Sequence, residues 1–600
     1  MVKRLLITLL PALLLLSCNG SREDDIYCNP LDLDYGWGIF KKDLPLCRTS
    51  ADPVIVFFKD KYYLFSTHDI GGYRVSRDMV HWKNMKFDKE VWNSAYNEGG
   101  TYVAPAVAHD GEYVYFIKIN NDKKAKTVDI VRSPDPSKGG WKVCGTIPKV
   151  ADPSLYIEGG RYWLYYGLGN GIRCFELDPV NFSKIEGSEK TILPKVRDVN
   201  DCDGGYEFGR REIFDEIQAP DWKGRFERTP CEEGSWMTKV GDKYYLQYAT
   251  PGTICIWYCD AVMTAPTPEG PFTLEPYNPV SLKAGGFIGS AGHSGVFADR
   301  YGNWWEITTM WVGNSNEFER RLGLFPVTFS PEGKMTVHTT LGDYPMVLPH
   351  RKFDASKGNL KEWWCLSYGK ECTASSSKEG FGPDLASDEN VRTWWAAEEG
   401  KGAWLCMDLG AIKNVNAVQL NFAEQNFTPE TFDDDYTAYR LYVSADGKSW
   451  KKVADRSRNR KTNPHPFHVL KKTAQARYVK VECVHPMNGQ SFAVRDLRVF
   501  GSGKGSIPGK VTDLRVERDL QDERYASLKW TPVPDADGYL VRFGVDPDDL
   551  NLTIQVKGWM NSSLLVHILT RGQRYYYSID TYNDCGVTPG AVIWESNNNQ

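Results

Sequence analysis

Short strands rich in aromatic residues recur along the first half of the chain. Each follows a Gly or Asp turn, the pattern of a β-strand that is entered through a tight turn. Their loose spacing favours propeller blades with variable loops over a solenoid of fixed period. The five units predict a five-bladed β-propeller, and a β-sandwich or a pair of barrels is the alternative. The stretches are DKYYLFST from Asp60, GEYVYFIKI from Gly111, GRYWLYYG from Gly160, DKYYLQYA from Asp242 and GNWWEITTM from Gly302.

A second β-rich region lies between residues 365 and 502. It contains TASSSKEGFGPDLASDENVRTWWAA, AWLCMDLG, YRLYVSADGKSW, ARYVKVEC and VRDLRVFG, in that order. This succession resembles the discoidin, or coagulation factor type C, module that many carbohydrate-binding proteins carry. The resemblance implies a β-sandwich. The end loops of such modules vary freely, so the fold does not determine the ligand.

The stretch GSGKGSIPGK is rich in Gly and Ser and predicts a flexible linker after this region. The segments LKWTPVPDADGYLVRFG and LTRGQRYYYSIDTYN that follow resemble a fibronectin type III domain. This resemblance implies a core tryptophan at Trp530 and a tyrosine corner at Tyr575. The whole chain is therefore predicted to be all-β. Its predicted parts are a signal peptide (1–18), an N-terminal extension (19–45), the five-bladed β-propeller (46–348), the discoidin-like β-sandwich (349–502), and the linker with the fibronectin type III β-sandwich (503–600).

The first eighteen residues, MVKRLLITLLPALLLLSC, have the pattern of an export signal. Two basic residues precede an apolar run that is too short for a comfortable bilayer span. The end of this run resembles a bacterial lipobox, which implies lipidation at Cys18; an ordinary secretory signal is the alternative. The acidic NGSREDD that follows resembles the surface-export tag of some Gram-negative lipoproteins. We therefore expect an exported lipoprotein of the outer membrane, facing the cell surface or the periplasm and held to the membrane by its lipid alone.

The composition argues against two classes of function. A net charge of -5 and a pI near 6.1 do not provide the basic face that nucleic-acid binding requires. Of the 14 cysteines, thirteen follow Cys18 without any CxxC pair, so a zinc framework is not expected. Six hundred residues exceed what one hydrophobic core serves, which agrees with several domains. We expect a monomer.

Three carboxylates stand at the start of predicted inner strands in three different units. Asp52 opens the strand in SADPVIVFF, Asp152 the strand in VADPSLYI, and Glu233 the strand in EEGSWMTKV. The innermost strands of a propeller surround a central axis, so we expect these side chains to converge there. The Pro or Gly after each carboxylate sets a turn that aims the side chain inward.

This arrangement resembles the family 43 glycoside hydrolases, which are five-bladed propellers with ADP near the start, DPS in the third blade and EG before a YYL strand in the fourth. The resemblance implies an inverting mechanism with Asp52 as general base and Glu233 as general acid. Asp152 would then raise the pKa of Glu233 and orient its carboxyl group. The adjacent Glu232 is expected to face solvent or a backbone partner.

Two further positions are candidates for sugar binding. His293 in GSAGHSGVFADR resembles the family's axial histidine, which often lies near a calcium ion or a water cluster, and a hydrogen-bonded structural histidine is the alternative. In FERRLGLF, strand alternation sends one of Arg320 and Arg321 inward, and Arg321 is the expected sugar ligand; solvation of both is the alternative. No cofactor is expected to be required, with a structural Ca²⁺ as the alternative.

Aromatic side chains are the other candidates, each with a place in the core as its alternative. Tyr102 and Trp236 are the expected substrate contacts. Tyr102 begins YVAP, where the family often has a tryptophan, so this subsite is expected to be reshaped. In the discoidin-like region, Asp388 in DENVRTWW is expected to shape a calcium loop, and the exposed one of Trp394 and Trp395 to touch sugar.

The predicted function is that of an exo-acting glycoside hydrolase of the α-L-arabinofuranosidase or β-xylosidase type. It would remove a terminal arabinofuranosyl, xylosyl or galactosyl residue from plant-type polysaccharide or oligosaccharide. A different glycosidic linkage is one alternative, because YVAP departs from the family pattern. The other is a non-catalytic glycan-binding or adhesion protein at the cell surface. Such a protein does not need three convergent acids, whose burial costs stability.

Overall fold

The computed structural model describes most of the chain, and the described part is almost entirely β-structure. Among the described residues there is no α-helix, and four short 3-10 helices lie in loops. No helix in this part is long and apolar enough to cross a membrane. The described residues are 24–38, 46–67, 72–88, 102–117, 125–195, 231–253, 257–316, 318–425 and 434–595. The 3-10 helices are Pro136–Lys138, Ala355–Lys357, Pro383–Ala386 and Met487–Gly489.

Short strands tie the beginning of the described chain to later residues. The first, β1 (Asp25–Tyr27), pairs antiparallel with Met346–Leu348, and β2 (Trp37–Gly38) pairs with β3 (Cys47–Arg48). Tyr27 is buried, and its hydroxyl donates to the carbonyl oxygen of Leu324 at 3.0 Å. This part of the predicted N-terminal extension therefore packs on the domain that follows it.

Five groups of four consecutive antiparallel strands follow in chain order. The first three are separate sheets, and one parallel pairing between Cys259 and Ala291 joins the fourth and fifth into an eight-stranded sheet. The first two groups contain β4 (Ala51–Phe58), β5 (Lys61–Thr67), β6 (Gly72–Ser76), β7 (Lys83–Lys86), β8 (Ala106–His109), β9 (Val114–Ile117), β10 (Thr127–Ser133) and β11 (Lys142–Pro148). The next two contain β12 (Ser154–Glu158), β13 (Arg161–Tyr166), β14 (Ile172–Leu177), β15 (Lys190–Leu193), β16 (Glu233–Val240), β17 (Lys243–Thr250), β18 (Cys259–Ala265) and β19 (Thr273–Leu274). After β20 (Ala284–Gly285), the fifth contains β21 (Gly289–Ala298), β22 (Trp304–Trp311), β23 (Arg320–Phe329) and β24 (Met335–Val337), and β25 is Met346–Leu348.

The first strands of these groups contact one another in a closed ring. β4 contacts β8, β8 contacts β12, β12 contacts β16, β16 contacts β21, and β21 contacts β4. Apolar side chains fill the space between neighbouring sheets, where strands rich in Val, Phe and Tyr bury both faces. The ring brings the starts of strands that are far apart in sequence around one axis.

A β-sandwich follows, with a core of small and branched apolar residues that include Leu405, Val418 and Val481. Its eight strands belong to one hydrogen-bonded sheet, in which two strands of nineteen residues, β29 and β32, pair with each other. Its strands are β26 (Trp364–Cys365), β27 (Glu371–Ala374), β28 (Trp395–Ala396), β29 (Trp404–Phe422), β30 (Ala438–Ser444), β31 (Lys451–Arg456), β32 (Phe467–His485) and β33 (Ala493–Ser502).

The last domain has two small sheets, one of β34, β35 and β38 and one built around β36, β37, β39 and β40. Trp530 is buried between them and packs edge-on against Tyr539, with ring centroids 5.1 Å apart. The hydroxyl of Tyr575 accepts the Thr570 N–H at 3.1 Å, the bond expected of a tyrosine corner. The strands are β34 (Arg515–Arg518), β35 (Ala526–Lys529), β36 (Gly538–Gly544), β37 (Leu552–Lys557), β38 (Ser563–Val566), β39 (Tyr576–Asn583), β40 (Gly586–Thr588) and β41 (Ile593–Trp594).

The stretch predicted to be a flexible linker is instead held in place. The Gly503 N–H donates to Asp584 O at 2.7 Å, and β20 of the first domain pairs in parallel with β37 of the last. The rings of Trp257 and His567 lie 4.3 Å apart across the same contact. Gly/Ser composition predicts flexibility only for a chain without partners, and here apolar and backbone contacts on both sides supply them.

Candidate active site

One unusual backbone conformation recurs in all five groups of strands. A residue at or near the start of each first strand has a positive φ, which is uncommon for residues other than glycine. Because the five first strands form a ring, the repeated turn brings these residues to the same end of it. The residues and their φ values are Asp52 (50°), Ala104 (41°), Asp152 (44°), Gly234 (58°) and His293 (51°).

Asp52 is buried and is surrounded by donors. The Thr67 hydroxyl donates to its Oδ2 at 2.5 Å, and a guanidinium N–H of Arg320 approaches its Oδ1 at 3.4 Å. Nδ1 of His293 lies 3.3 Å from the same Oδ1. The Asp52 N–H donates to Oγ1 of Thr309 at 2.9 Å, which fixes the turn itself. Such surroundings suit an ionised carboxylate that accepts hydrogen bonds.

Glu233 is also buried, and it lies close to His293. The Tyr258 hydroxyl donates to its Oε1 at 2.6 Å, and Sγ of Cys231 lies 3.6 Å from its Oε2. A Cβ on Gly234 would fall 2.5 Å from the His293 ring, so only glycine allows the ring to approach this backbone. The Glu-Gly pair therefore places His293 next to the Glu233 backbone while His293 contacts Asp52.

The pKa values of two of the carboxyls are raised. Burial raises the pKa of Glu233 and the charge of Asp52 adds to this, while His293 and the Tyr258 hydrogen bond offset part of it. Burial, followed by the charges of Glu233 and Asp52, holds the pKa of Asp152 well above its usual range. Repulsion between Asp152 and Glu233 is mutual, so the two titrate as a pair. The raised pKa of Asp152 favours a proton on Asp152, whereas exposure favours one on Glu233, because Asp152 is half-buried and Glu233 is only 8% exposed, so water solvates a charge on Asp152 better. The mechanism proposed below follows the exposure and places the shared proton on Glu233.

The structure corrects the expectation that Glu232 faces solvent. Its side chain is 2% exposed, and burial raises its pKa to about 7. Within the described residues its Oε2 has no hydrogen-bond partner. The sequence could not show this, because neighbouring segments of the chain cover the side chain.

The prediction that Arg321 binds sugar is wrong, because its side chain points away from the carboxylates. It is fully buried, and its Nε donates to Nε2 of His465 in the second domain at 2.7 Å. Strand alternation sends Arg320 the other way, to Asp52 and to Oγ1 of Thr253 at 3.1 Å. One of the two arginines does point toward the carboxylates, but it is Arg320 and not Arg321.

The structure assigns Tyr102 to the core rather than to a sugar contact. It is 1% exposed, its hydroxyl donates to Gly72 O at 2.7 Å, and its ring packs on Phe87 and Phe116. Trp236 is half-buried between two apolar clusters, and its indole N–H donates to Val296 O at 2.9 Å. Neither side chain offers an open stacking platform.

The loop around Asp388 packs on the first domain. Asp388 accepts hydrogen bonds from Thr393 and from the Asn390 N–H within its own loop. Trp395 is fully buried, and the half-buried Trp394 donates to Oε1 of Gln425 at 2.6 Å. In the described part of the chain, neither this loop nor the surroundings of His293 bring together three side chains that fit a metal ion.

A cavity of about 920 Å³ lies away from the carboxylates. It separates the N-terminal segment and the first sheet from the second domain, and Asp32, Trp82 and Arg458 are among its walls. None of the candidate catalytic residues lines it, so we place the chemistry at the ring of carboxylates.

Sequence reasoning missed Tyr258 and Thr67, which hold the two key carboxyls. Tyr258 lies in the apolar run ICIWYCD, and Thr67 ends the aromatic strand β5. Neither stretch differs from ordinary strand sequence, so no signal in the chain marks these residues.

Cys18, the predicted lipidation site, lies outside the described residues.

Comparison with known proteins identifies the two larger domains. Residues 44–335 match the family described as glycosyl hydrolases family 43, and residues 371–497 match the F5/8 type C domain. The chain is 27% identical over 263 residues to a protein named xylosidase/arabinosidase from Bacteroides ovatus, which covers 38% of this chain and 76% of the relative. The predicted family 43 and discoidin domains and the all-β class are thereby confirmed.

Solved structures show similarities of low identity. One, described as a glycoside hydrolase, has 17% identity and a TM-score of 0.43 and covers 75% of this chain and 97% of its own. Another is a mutant of the family 43 protein BlXynB from Bacillus licheniformis, with 15% identity and a TM-score of 0.39, covering 79% of this chain and 98% of its own.

Proposed function

We propose that the family 43 glycoside hydrolase domain of this chain is an exo-acting, inverting enzyme. It removes a terminal arabinofuranosyl, xylosyl or galactosyl residue from plant-type polysaccharide or oligosaccharide. One observation supports this most: Asp52 and Glu233 both lie close to His293 but in different surroundings. Asp52 accepts hydrogen bonds from Thr67 and Arg320, whereas Glu233 is buried and has a raised pKa.

Glu233 acts as the general acid. Cleavage of an acetal requires a proton on the leaving oxygen, and a carboxyl with a raised pKa still carries its proton near neutral pH. The Tyr258 hydroxyl donates to Oε1, so Oε1 is an acceptor, and we place the acid proton on Oε2, which lies beside the Cys231 thiol. Asp152 repels the charge that Glu233 acquires when it loses the proton, so it keeps the acid protonated to higher pH.

Asp52 acts as the general base. In an inverting hydrolase the base takes a proton from water on the face of the sugar opposite the leaving group. The donors Thr67 and Arg320 suit an ionised carboxylate and fix its orientation. An inverting enzyme needs about 6.5–9.5 Å between the two carboxyl groups to admit that water.

The substrate proposal draws on the relative from Bacteroides ovatus, whose name refers to xylosides and arabinosides. We further propose export, lipidation at Cys18 and a position at the outer membrane, on the basis of the N-terminal sequence. In the proposed chemistry Glu233 protonates the leaving oxygen, water bonds to the anomeric carbon as the glycosidic C–O bond breaks, and Asp52 accepts the proton of that water; none of these steps requires a metal ion. Turnover is therefore expected to persist in EDTA.

A non-catalytic glycan-binding or adhesion protein is the second candidate. The buried carboxyls argue against it. Asp52, Asp152 and Glu233 repel one another and lose hydration, which costs stability without benefit to a binding surface.

The test uses the chain without residues 1–18 and a panel of aryl arabinofuranosides, xylosides and galactosides together with plant oligosaccharides. Proton NMR during the first turnovers records which anomer is released. Release of one monosaccharide with inverted configuration, and of no oligosaccharide, is the expected result, with Asp52→Asn as the inactive control. Retained configuration contradicts the mechanism, and binding without turnover favours the second candidate.

A further inference from the structure

We propose that the F5/8 type C domain acts as a positioning element for the family 43 active site. Through a buried set of charged residues that crosses the domain boundary, its side chains hold the backbone before Asp52 and the backbone at the start of β23. We call this set the interdomain network, and its role in turnover rests on the proposed function of Asp52. Its members are Arg48, Glu319 and Arg321 in the first part of the chain, and Glu424, His465 and Arg495 in the F5/8 type C domain.

Arg495 lies at the centre of the network. One guanidinium nitrogen is 2.9 Å from Oε1 of Glu319 and 2.8 Å from Oε2 of Glu424. The other Glu424 oxygen is 3.2 Å from Nε of Arg48. Glu424 and Arg495 belong to the F5/8 type C domain, whereas Arg48 and Glu319 belong to the first domain, so these ion pairs join the two domains. All four side chains are buried or nearly so.

Arg321 and His465 form the second connection. Nε of Arg321 donates to Nε2 of His465, so Nδ1 of His465 carries the proton and donates to Oδ1 of Asn421 at 2.8 Å. Burial, together with the nearby arginines, lowers the pKa of His465 well below its usual range, so the ring is neutral and can accept. The second domain therefore fixes the direction of the Arg321 side chain.

Arg321 in turn fixes the backbone beside the general base. Its NH1 donates to Arg48 O at 2.6 Å and to Arg320 O at 3.0 Å. Arg320 O also accepts the Ser50 N–H at 3.2 Å. The Arg321 side chain and the Arg320 carbonyl group therefore connect the segment before Asp52 to the start of β23. From that strand the guanidinium of Arg320 contacts Asp52.

If the interdomain network only stabilised the contact between the two domains, a different result would be expected. Apolar residues of similar volume often stabilise a buried interface as well as an ion pair does, but without its directional bonds. Replacing the central pair by apolar residues removes the directional bonds but keeps much of the packing, and kinetics of the folded variant then report positioning apart from stability. A shift of about 1 Å at a reacting group is enough to lower turnover about a hundredfold.

The experiment uses the double variant Arg495→Met with Glu424→Leu. The control is Arg477→Met with Asp408→Leu, a partly exposed bidentate pair of 2.7 Å bonds in the same domain. We expect the control to melt near the wild-type temperature and the network variant to melt lower, because Arg48 and Glu319 each lose a buried partner, so the kinetics are measured below both melting transitions. For the network variant we expect kcat to fall by about tenfold or more with KM within about threefold, and for the control neither to change.

Crystal structures of the same variants provide a readout that is independent of activity. We expect the contacts of Asp52 Oδ1 with Arg320 and His293, 3.4 and 3.3 Å in the intact protein, to lengthen in the network variant only. Unchanged contacts overturn the inference, as does wild-type kcat in the network variant. If the intact protein hydrolyses nothing, the proposed function fails and these distances still decide the inference. If the double variant does not fold, Glu424→Gln with the same two readouts replaces it.

Discussion

The hydroxyl of Tyr258 donates a 2.6 Å hydrogen bond to Oε1 of Glu233. A donor to a carboxylate favours its ionised form, so this bond lowers the pKa of Glu233, while burial of the side chain raises it. The bond also fixes the direction in which Glu233 presents its second oxygen. Tyr258 therefore controls both the orientation and the protonation of the proposed acid.

Tyr258→Phe removes this donor with little change in shape. The pKa of Glu233 should rise, so the basic limb of the kcat/KM profile should move to higher pH. Loss of the orienting bond should lower kcat about tenfold. Steady-state kinetics between pH 4 and pH 9 measure both effects. A basic limb that moves to lower pH contradicts the role given to Tyr258.

Asp152→Asn should move the basic limb in the opposite direction. The variant removes the negative charge that keeps Glu233 protonated, so the pKa of Glu233 falls and activity is lost at lower pH than in the wild type. The same pH series measures it. If the basic limb of the pH profile does not move, Asp152 is uncharged in the working enzyme, and the shared proton is on Asp152 rather than on Glu233.

Gly234→Ala should disable the site through His293. An added Cβ falls 2.5 Å from the ring, which must move and lose its contact with Asp52. We expect turnover to fall about a hundredfold. The control is Gly241→Ala, since Gly241 has a nearly equal φ of 60° but open space around the added carbon. Both variants should lose roughly 1 kcal/mol of stability from the positive φ, but the control should keep wild-type turnover. Equal turnover in Gly234→Ala and Gly241→Ala would mean that the site does not need glycine at position 234 for the approach of the His293 ring.

Glu232→Gln should leave turnover nearly unchanged and alter stability with pH. The folded state keeps the Glu232 proton up to about pH 7, whereas the unfolded chain releases it near pH 4.5. Stability therefore falls as pH rises through this window, by about 3 kcal/mol in total. The glutamine variant lacks this loss, so its melting temperature should exceed that of the wild type by more at pH 8 than at pH 5. If turnover is abolished instead, the general acid is Glu232.

The sequence predicted the carboxylates because their local pattern is distinctive. Ala-Asp-Pro before an apolar strand occurs at equivalent places in two units, and the structure has Asp52 and Asp152 in the same positive-φ turn. In the fourth group of strands, however, the equivalent residue is Gly234, so Glu233 stands one position earlier. The pattern therefore located the strand start but not the exact register of the side chain.

Contacts between distant residues could not be predicted in this way. Alternation showed that Arg320 and Arg321 face opposite sides, but not which side holds the carboxylates, because that depends on His465 about 140 positions later. The sequence places Tyr102 at the substrate because a strand sequence does not distinguish an aromatic residue in the core from an exposed one. Burial is set by the neighbouring sheets, which only the structure shows.

The most direct test of the central claim compares leaving groups in two variants. Glu233→Gln removes the proposed acid and Asp52→Asn the proposed base, with shape and hydrogen bonding largely kept. A dinitrophenolate leaves without protonation, so a dinitrophenyl glycoside should restore much of the activity of Glu233→Gln and hardly any of Asp52→Asn. With a poor leaving group, such as an oligosaccharide, both variants should be slower than wild type by orders of magnitude. Equal losses of kcat/KM on both substrates in both variants, or rescue of Asp52→Asn alone, would contradict the assignment of Glu233 as acid and Asp52 as base.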